Sequence, residues 1–258
     1  AHSGDVQLAG ALRSIDLLLQ SVIDDQLMSP PLSAEVIQRA QLGLLQQFPE
    51  VHFLLVTDSH GQVLTAESVD DPTDIGAVRH FNASQRDYFV AHRDAKPDGR
   101  DHYEISRPFK TITGKHTIAI SRAIRDGDGH FMGVAAVSIS PKYFETVLRQ
   151  IMPDDPSSAA ILVNRFGDVI FGVRGTETYA GQNILGAAPF QAFLKSNQRL
   201  TRHIGLSALD TSNRIYAMTR IDEVPLGLSV STQLDHVTAR WRSNLVLRLL
   251  GFVLMAAV

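Results

Sequence analysis

Asn82-Ala-Ser-Gln-Arg-Asp-Tyr-Phe89, Ile105-Ser-Arg-Pro-Phe109, Ile120-Ser-Arg122 and Gly133-Val134 are the segments on which the reading of this chain turns. In order they read as an arginine and two aromatics opening a short helix, then three strands joined by tight turns. The helix is expected over Phe81–Ala91 with Asn82 or Ser84 as its cap, because a short side-chain oxygen satisfies the first unpaired amides of a helix. Ala95–Asp101 is a polar loop. Tyr103–Lys110 and His116–Arg125 are expected as strands joined through Thr113-Gly114, and Asp126-Gly-Asp-Gly129 as a tight turn into a strand over Phe131–Ser140. Apolar runs punctuated by Gly, Asp and Pro are the mark of hairpins, so this part reads as antiparallel sheet.

Toward the N-terminus, Asp5–Leu27 reads as a helix. Leu8, Leu12, Ile15, Leu19 and Val22 recur at spacings of four and three and form one apolar stripe. Two readings of the stripe stand: a helix packed along its own domain, and a heptad seam shared by two protomers. Ser29-Pro-Pro31 ends the helix, since proline removes a donor and clashes with the preceding turn. Ser33 then caps a second helix running to about Phe48. Asp70-Asp71-x-x-Asp74 is taken as a solvated acidic loop.

Val51–Asp58, Ser59-His-Gly61 and Gln62–Thr65 form a strand, a turn and a strand. The pattern returns: Leu55–Leu64 aligns with Ile161–Ile170, with Gly167 over Gly61. Ile118–Ile124 echoes Ile215–Ile221, and Gly133-Val134 echoes Gly227-Leu228. Three echoes in one order indicate a duplicated α/β unit. Pro141–Ile151 is a connecting helix, and Pro153-Asp-Asp-Pro156 is placed as the boundary. The second unit is expected to hold a helix near Pro189–Lys195 and strands near Arg199–Ile204, Asn213–Ile221 and Leu226–Thr232. The expected division is 1–50 for the N-terminal helices, 51–152 and 153–233 for the two units, and 234–258 for an exit helix. Its last residues, Leu245–Val258, are nearly all apolar. They are too short to span alone, since a crossing takes about 20 residues. They are read as the first turns of a membrane helix, with a buried terminal helix as the other reading; a first membrane helix would then precede Ala1.

Composition narrows the classes. The 258 residues are 44% hydrophobic and 20% charged, with a formal net charge of -3 and no cysteine. No basic surplus points to nucleic acid. Thiol catalysis, disulfides and thiolate metal sites are excluded. The ten histidines are scattered without a pairing that suits zinc. Asp126-Gly-Asp-Gly129 has Val137 where a calcium loop needs a bidentate glutamate. Gly172-x-x-Gly175 lacks the strand-to-helix setting of a phosphate loop. No metal and no cofactor is therefore expected.

The order long helix, α/β unit, second smaller α/β unit and exit helix resembles the double Cache (PDC) fold over nearly the whole chain. That fold is α+β, two tandem PAS-like units with antiparallel sheets behind a long N-terminal helix. The Arg86-Asp-Tyr-Phe89 element, the Ser106-Arg-Pro108 turn, Ser121-Arg122 and Phe131-Met-Gly-Val134 carry the resemblance. It implies an extracytoplasmic sensor of a bacterial membrane receptor, lying in the periplasm and tied to the inner membrane by its flanking helices. It implies no enzyme in this domain. The output expected first is a GGDEF-type diguanylate cyclase, then a histidine kinase, then a chemoreceptor. A homodimer through the N-terminal helix is expected.

The resemblance further implies a small ligand in the first unit, with Arg86 as the carboxylate partner and Tyr88 as a hydroxyl and an aromatic wall. A guanidinium is a rigid fork of donors that matches a carboxylate. Phe109, Thr111 and Ser138 are expected to line the same pocket. Arg107, Ser121 and Arg122 complete the expected set, although neighbours on one strand face opposite sides and only one of the last two can point in. The amino-acid-binding branch has carboxylates where this chain has Thr111 and Ser138. An unpaired ammonium is costly to desolvate, so a carboxylic acid or another small anion is the expected ligand. The competing reading is a soluble hydrolase-like enzyme with a histidine base, and a third is an ectodomain whose pocket is empty by design.

Overall fold

The computed structural model describes residues 2–27, 34–68, 72–95, 103–111, 114, 116–221, 225–239 and 241. The chain divides into two compact units, Val6–Val147 and Leu148–Val258 with Ala1–Asp5. The division falls inside a helix, α5 (Pro141–Ile151), rather than at Pro153–Pro156. The C-terminal turn of α5 belongs with the second unit because Ile151 and Leu228 both crowd Gly4.

In the first unit, α1 (His2–Leu27) carries the apolar stripe. Leu8, Leu12, Ile15, Leu18, Leu19 and Val22 are each at most 5% exposed. The stripe is thus buried within the chain; Val6, Leu17 and Leu27 lie on the exposed side. Val6–Leu27 is long and apolar enough to cross a membrane by length and composition. Its buried stripe makes it a core helix here. A second helix, α2 (Ala34–Leu45), ends three residues before Phe48; Ser33 and Ser29-Pro-Pro31 lie outside the described residues.

The sheet of this unit runs β2-β1-β7-β6-β3, all antiparallel. Its strands are β1 (Val51–Thr57), β2 (Val63–Ser68), β3 (Glu104–Ile105), β6 (Ala119–Arg125) and β7 (Phe131–Ile139). The two long strands expected around residue 110 are broken. Ser106 N–H donates to Ala119 O at 2.9 Å, and its Oγ accepts the Ala119 amide at 2.9 Å. Pro108 then has no amide to continue the ladder. The chain leaves the sheet and forms a separate pair, β4 (Phe109–Lys110) with β5 (His116–Thr117). Where an acidic loop was expected, α3 (Pro72–Arg79) forms. Proline is at home in a first helical turn, where its missing amide has no partner to lose.

The second unit repeats this order with an added edge strand: β10-β9-β8-β13-β12-β11. Its elements are β8 (Ala159–Asn164), β9 (Val169–Arg174), β10 (Glu177–Tyr179), α6 (Ala188–Lys195), β11 (Leu200–Leu206), β12 (Asn213–Arg220) and β13 (Leu226–Gln233). A helical stretch begins at Leu234; Leu245–Val258 lies outside the described residues.

The duplication extends to hydrogen bonds. Asp58 Oδ1 accepts the amides of His60 and Gln62, and Asn164 Oδ1 accepts those of Phe166 and Asp168. Gly61 and Gly167 sit at φ of 81° and 80°. A Cβ on either would lie 2.5 Å from a backbone nitrogen, of Ser84 and Leu185 respectively. Each turn is locked by an asparagine that follows it in sequence. Asn82 donates to His60 O and accepts from Ser84 N–H, while Asn183 donates to Phe166 O and accepts from Leu185 N–H. Only glycine fits a left-handed turn so closely covered.

Candidate functional site

The lock decides where the next helix starts. Asn82 is committed to the β1–β2 turn, so it does not cap the helix expected from Phe81. Instead the chain turns through Ala83, whose carbonyl accepts the Arg86 amide at 2.8 Å, and α4 runs over Asp87–Asp94. Arg86 is the N-cap residue in extended conformation (φ −77°, ψ 139°), and no side chain caps the helix. Its carbonyl accepts the Phe89 and Val90 amides. The backbone is therefore held at both sides while the guanidinium stays free to reach outward.

That guanidinium lies 5.0 Å from the ring centroid of Phe81 and 5.0 Å from that of Phe109. It is half-buried, and among the described residues no carboxylate is within ion-pair distance. Two aromatic faces hold a cation without neutralising it, each worth on the order of 1 kcal/mol. Arg86 thus points a fixed positive fork into a cavity of about 70 Å³.

The back wall of the cavity is the sheet, through Phe53 and Leu55 of β1, Ala119 of β6 and Ala136 and Ser138 of β7. Alternation on a strand allows every second residue to face it. His52 joins Phe53 on this wall because the β1–β7 register slips between Val51 and Phe53. The front is Val78 of α3 with Phe81, Tyr88, Phe109 and Thr111. Tyr88 is 4% exposed and packs its ring 6.1 Å from Phe109. Burial, above all, pushes its phenol up to about 12, so the hydroxyl stays a donor at neutral pH. Phe89 faces the core instead, edge-on to Phe131 at 5.5 Å. Ser138 Oγ is buried with no hydrogen-bond partner.

Of the eight residues expected from the sequence, the structure brings Arg86, Tyr88, Phe109, Thr111 and Ser138 to this cavity. The other three do not line it. Ser121 is inside the sheet's α4-facing layer, with Oγ 3.0 Å from His92 Nε2. Arg122, the next residue, faces the opposite side and clamps Asp16 of α1. Arg107 is exposed, at the turn that carries the chain out of the sheet. Sequence reasoning missed His52, Phe53, Leu55, Val78, Phe81, Ala119, Ala136 and Val137. His52 was hidden by a register slip, and the others look like any core residue until a sheet and a helix are set face to face. The acidic turn Asp126, Asp128 and His130 gathers three potential ligand atoms, but Asp126 Oδ1 already accepts the Asp128 and His130 amides.

No family model and no curated protein matches the sequence. Solved structures do resemble the fold. The extracellular domain of a protein described as a histidine kinase aligns with a TM-score of 0.77 at 22% identity, over 92% of this chain and 92% of that one. The ligand-binding domain of the Pseudomonas aeruginosa amino-acid chemoreceptor PctB, in complex with L-Gln, aligns with a TM-score of 0.66 at 16% identity, over 97% and 95%. That of the Pseudomonas fluorescens chemoreceptor CtaA, in complex with L-serine, aligns with a TM-score of 0.60 at 16% identity, over 91% and 94%.

Proposed function

We propose that this chain, whose fold is the double Cache fold of extracellular ligand-binding domains, senses a small carboxylate for a bacterial membrane receptor. The observation that carries the reading is the Arg86 guanidinium, held between Phe81 and Phe109 over a largely apolar cavity. A charge-assisted, bidentate bond to a carboxylate is the strongest use of that geometry. The polar side chains of His52, Tyr88, Thr111 and Ser138 would orient the rest of the ligand. No carboxylate lines the cavity among the described residues, so nothing there balances an ammonium group. The favoured ligand is therefore a short monocarboxylate with an apolar body, in contrast to the amino acids bound by the chemoreceptors named above.

The domain itself is a binding module rather than an enzyme. Its output is that of a histidine kinase or a chemoreceptor, two classes named among the resembling structures. The findings favour these over the diguanylate cyclase placed first on the sequence. The domain lies outside the inner membrane, anchored through the segment that follows residue 234, and it works as a homodimer; these parts of the reading rest on the fold.

Titration calorimetry with propionate and L-alanine tests the proposal. Propionate is expected to bind, L-alanine at least tenfold more weakly, and Arg86→Ala to abolish propionate binding. Equal affinity of Arg86→Ala and the unmodified chain for propionate would overturn it.

A further inference from the structure

The duplicated frame continues into a second cavity, of about 40 Å³, over the sheet of the second unit. Ala187 holds there the place that Arg86 holds in the first unit. Both are extended N-cap residues, and both donate their amide to the residue three before, Ile184 in one case and Ala83 in the other. Helix entry therefore brings no charge. Positive charge comes from the sheet instead, from Arg174 at the end of β9 and Arg214 on β12.

Arg214 is 2% exposed. A guanidinium that deep must be fully bonded, because an uncompensated buried charge is strongly destabilising. Its Nε donates to Ser212 Oγ at 2.9 Å, and Nη1 donates to Ser157 O at 2.9 Å and Ser231 Oγ at 3.2 Å. Nη2 donates to Asp210 Oδ2 at 2.8 Å. Arg174 Nη1 reaches the same oxygen at 2.9 Å. The other carboxylate oxygen, Oδ1, accepts the Ser212 hydroxyl at 2.7 Å and the Ser212 amide at 3.2 Å. Asp210 belongs to neither strand. It lies on the loop from Ser207 to Ser212 that joins β11 to β12 and packs Leu209 against the apolar cluster around Phe190 and Met218. The loop thus brings a carboxylate into the cavity from outside the sheet and seats it between two guanidiniums.

We propose that the second unit carries an anion site whose occupant is the chain's own Asp210 carboxylate, leaving this cavity closed to external anions. The bonds to Arg214 and Ser212 hold the Asp210 carboxyl well below the usual carboxylate range, so it is ionised at neutral pH. A tethered group competes at an effective concentration in the millimolar range or above, so a free carboxylate does not displace it at ordinary levels. With Asp210 removed, the same guanidiniums would take a small planar carboxylate of the size of formate.

Chemical rescue tests this. The Arg86→Ala background removes the first cavity's cation, so failure of the reading proposed for that cavity leaves this test intact. Thermal unfolding of the whole chain is followed in sodium formate and in sodium chloride of equal ionic strength. Arg86→Ala/Asp210→Ala is expected to melt about 5 °C or more below Arg86→Ala and to recover at least half of that loss in formate but not in chloride. Arg86→Ala alone should show no formate-specific shift. If the double variant melts lower and formate restores nothing, Asp210 is merely a structural ion pair and the proposal fails. It fails equally if Arg86→Ala alone gains as much from formate. Should Asp210→Ala not fold without added ion, refolding in formate decides. Recovery supports the site, whereas no recovery, with Asp210→Asn folding normally, overturns it.

Discussion

The Arg122 guanidinium grips Asp16 in a two-point bridge, Nε to Oδ1 at 2.6 Å and Nη2 to Oδ2 at 3.0 Å. Arg122 follows Ser121 on β6, and Ala119, two residues before Ser121, lines the Arg86 cavity. Strand alternation thus puts the cavity on one face of the sheet and the long helix on the other. The strand that lines this cavity also holds α1.

With Arg122 5% exposed, breaking this bridge takes a carboxylate away from a buried guanidinium. Asp16→Asn is expected to lower stability by about 3 kcal/mol. Urea denaturation measures it, and a double-mutant cycle with Arg122→Met should show strong coupling. A loss below about 0.5 kcal/mol would mean that the bridge behaves as a surface pair.

Gly61 and Gly167 should respond alike to substitution. Alanine at either must adopt a left-handed backbone and meet a backbone nitrogen, which is expected to cost about 2 kcal/mol or more. Gly10, in the middle of α1 with open space where a Cβ would go, should behave oppositely. Gly10→Ala is expected to add about 0.5–1 kcal/mol. Denaturation midpoints of the three variants check the contrast.

The cavity's selectivity should be transferable. Ser138→Asp places a carboxylate on the β7 wall, where the existing hydroxyl is buried without a partner. An ammonium then has a counter-charge, and the preference for propionate over L-alanine should fall by at least tenfold, about 1.4 kcal/mol. Calorimetric affinities of the two ligands measure it; an unchanged ratio would place the ligand's second group elsewhere.

Glu50 provides a pH signature. It is 7% exposed, and burial raises its carboxyl above 4.5. The folded protein therefore holds this proton to higher pH than the unfolded chain does. Stability contributed by this group is full at low pH and falls as pH rises through the folded value. Glu50→Gln should thus be more stable than the unmodified chain at pH 7, and the difference should vanish below about pH 4.5. Urea midpoints at pH 4 and 7 give the sign directly.

Repeated patterns of apolar strand, glycine turn and strand made the two-unit architecture legible from the sequence. So did the stripe on α1, because periodicity and turn chemistry are local. Five cavity residues were reached through the Arg-Asp-Tyr-Phe element and the strands that follow it. What could not be read was set by contacts between distant segments. Asn82 looks like a helix cap until the β1–β2 turn claims it. Ser121 and Arg122 are equally placed until Asp16 and His92 decide which side each faces. Asp210 is one acid among many until its loop folds back between Arg174 and Arg214. The sequence alone determined most of the elements and their order, since backbone preferences act within a few residues; α3, the break at Pro108 and β10 were not among them. Only the tertiary structure decided which charges are neutralised within the chain and that Arg86 faces a cavity with no carboxylate in ion-pair reach among the described residues. That balance depends on burial and on partners far apart along the chain.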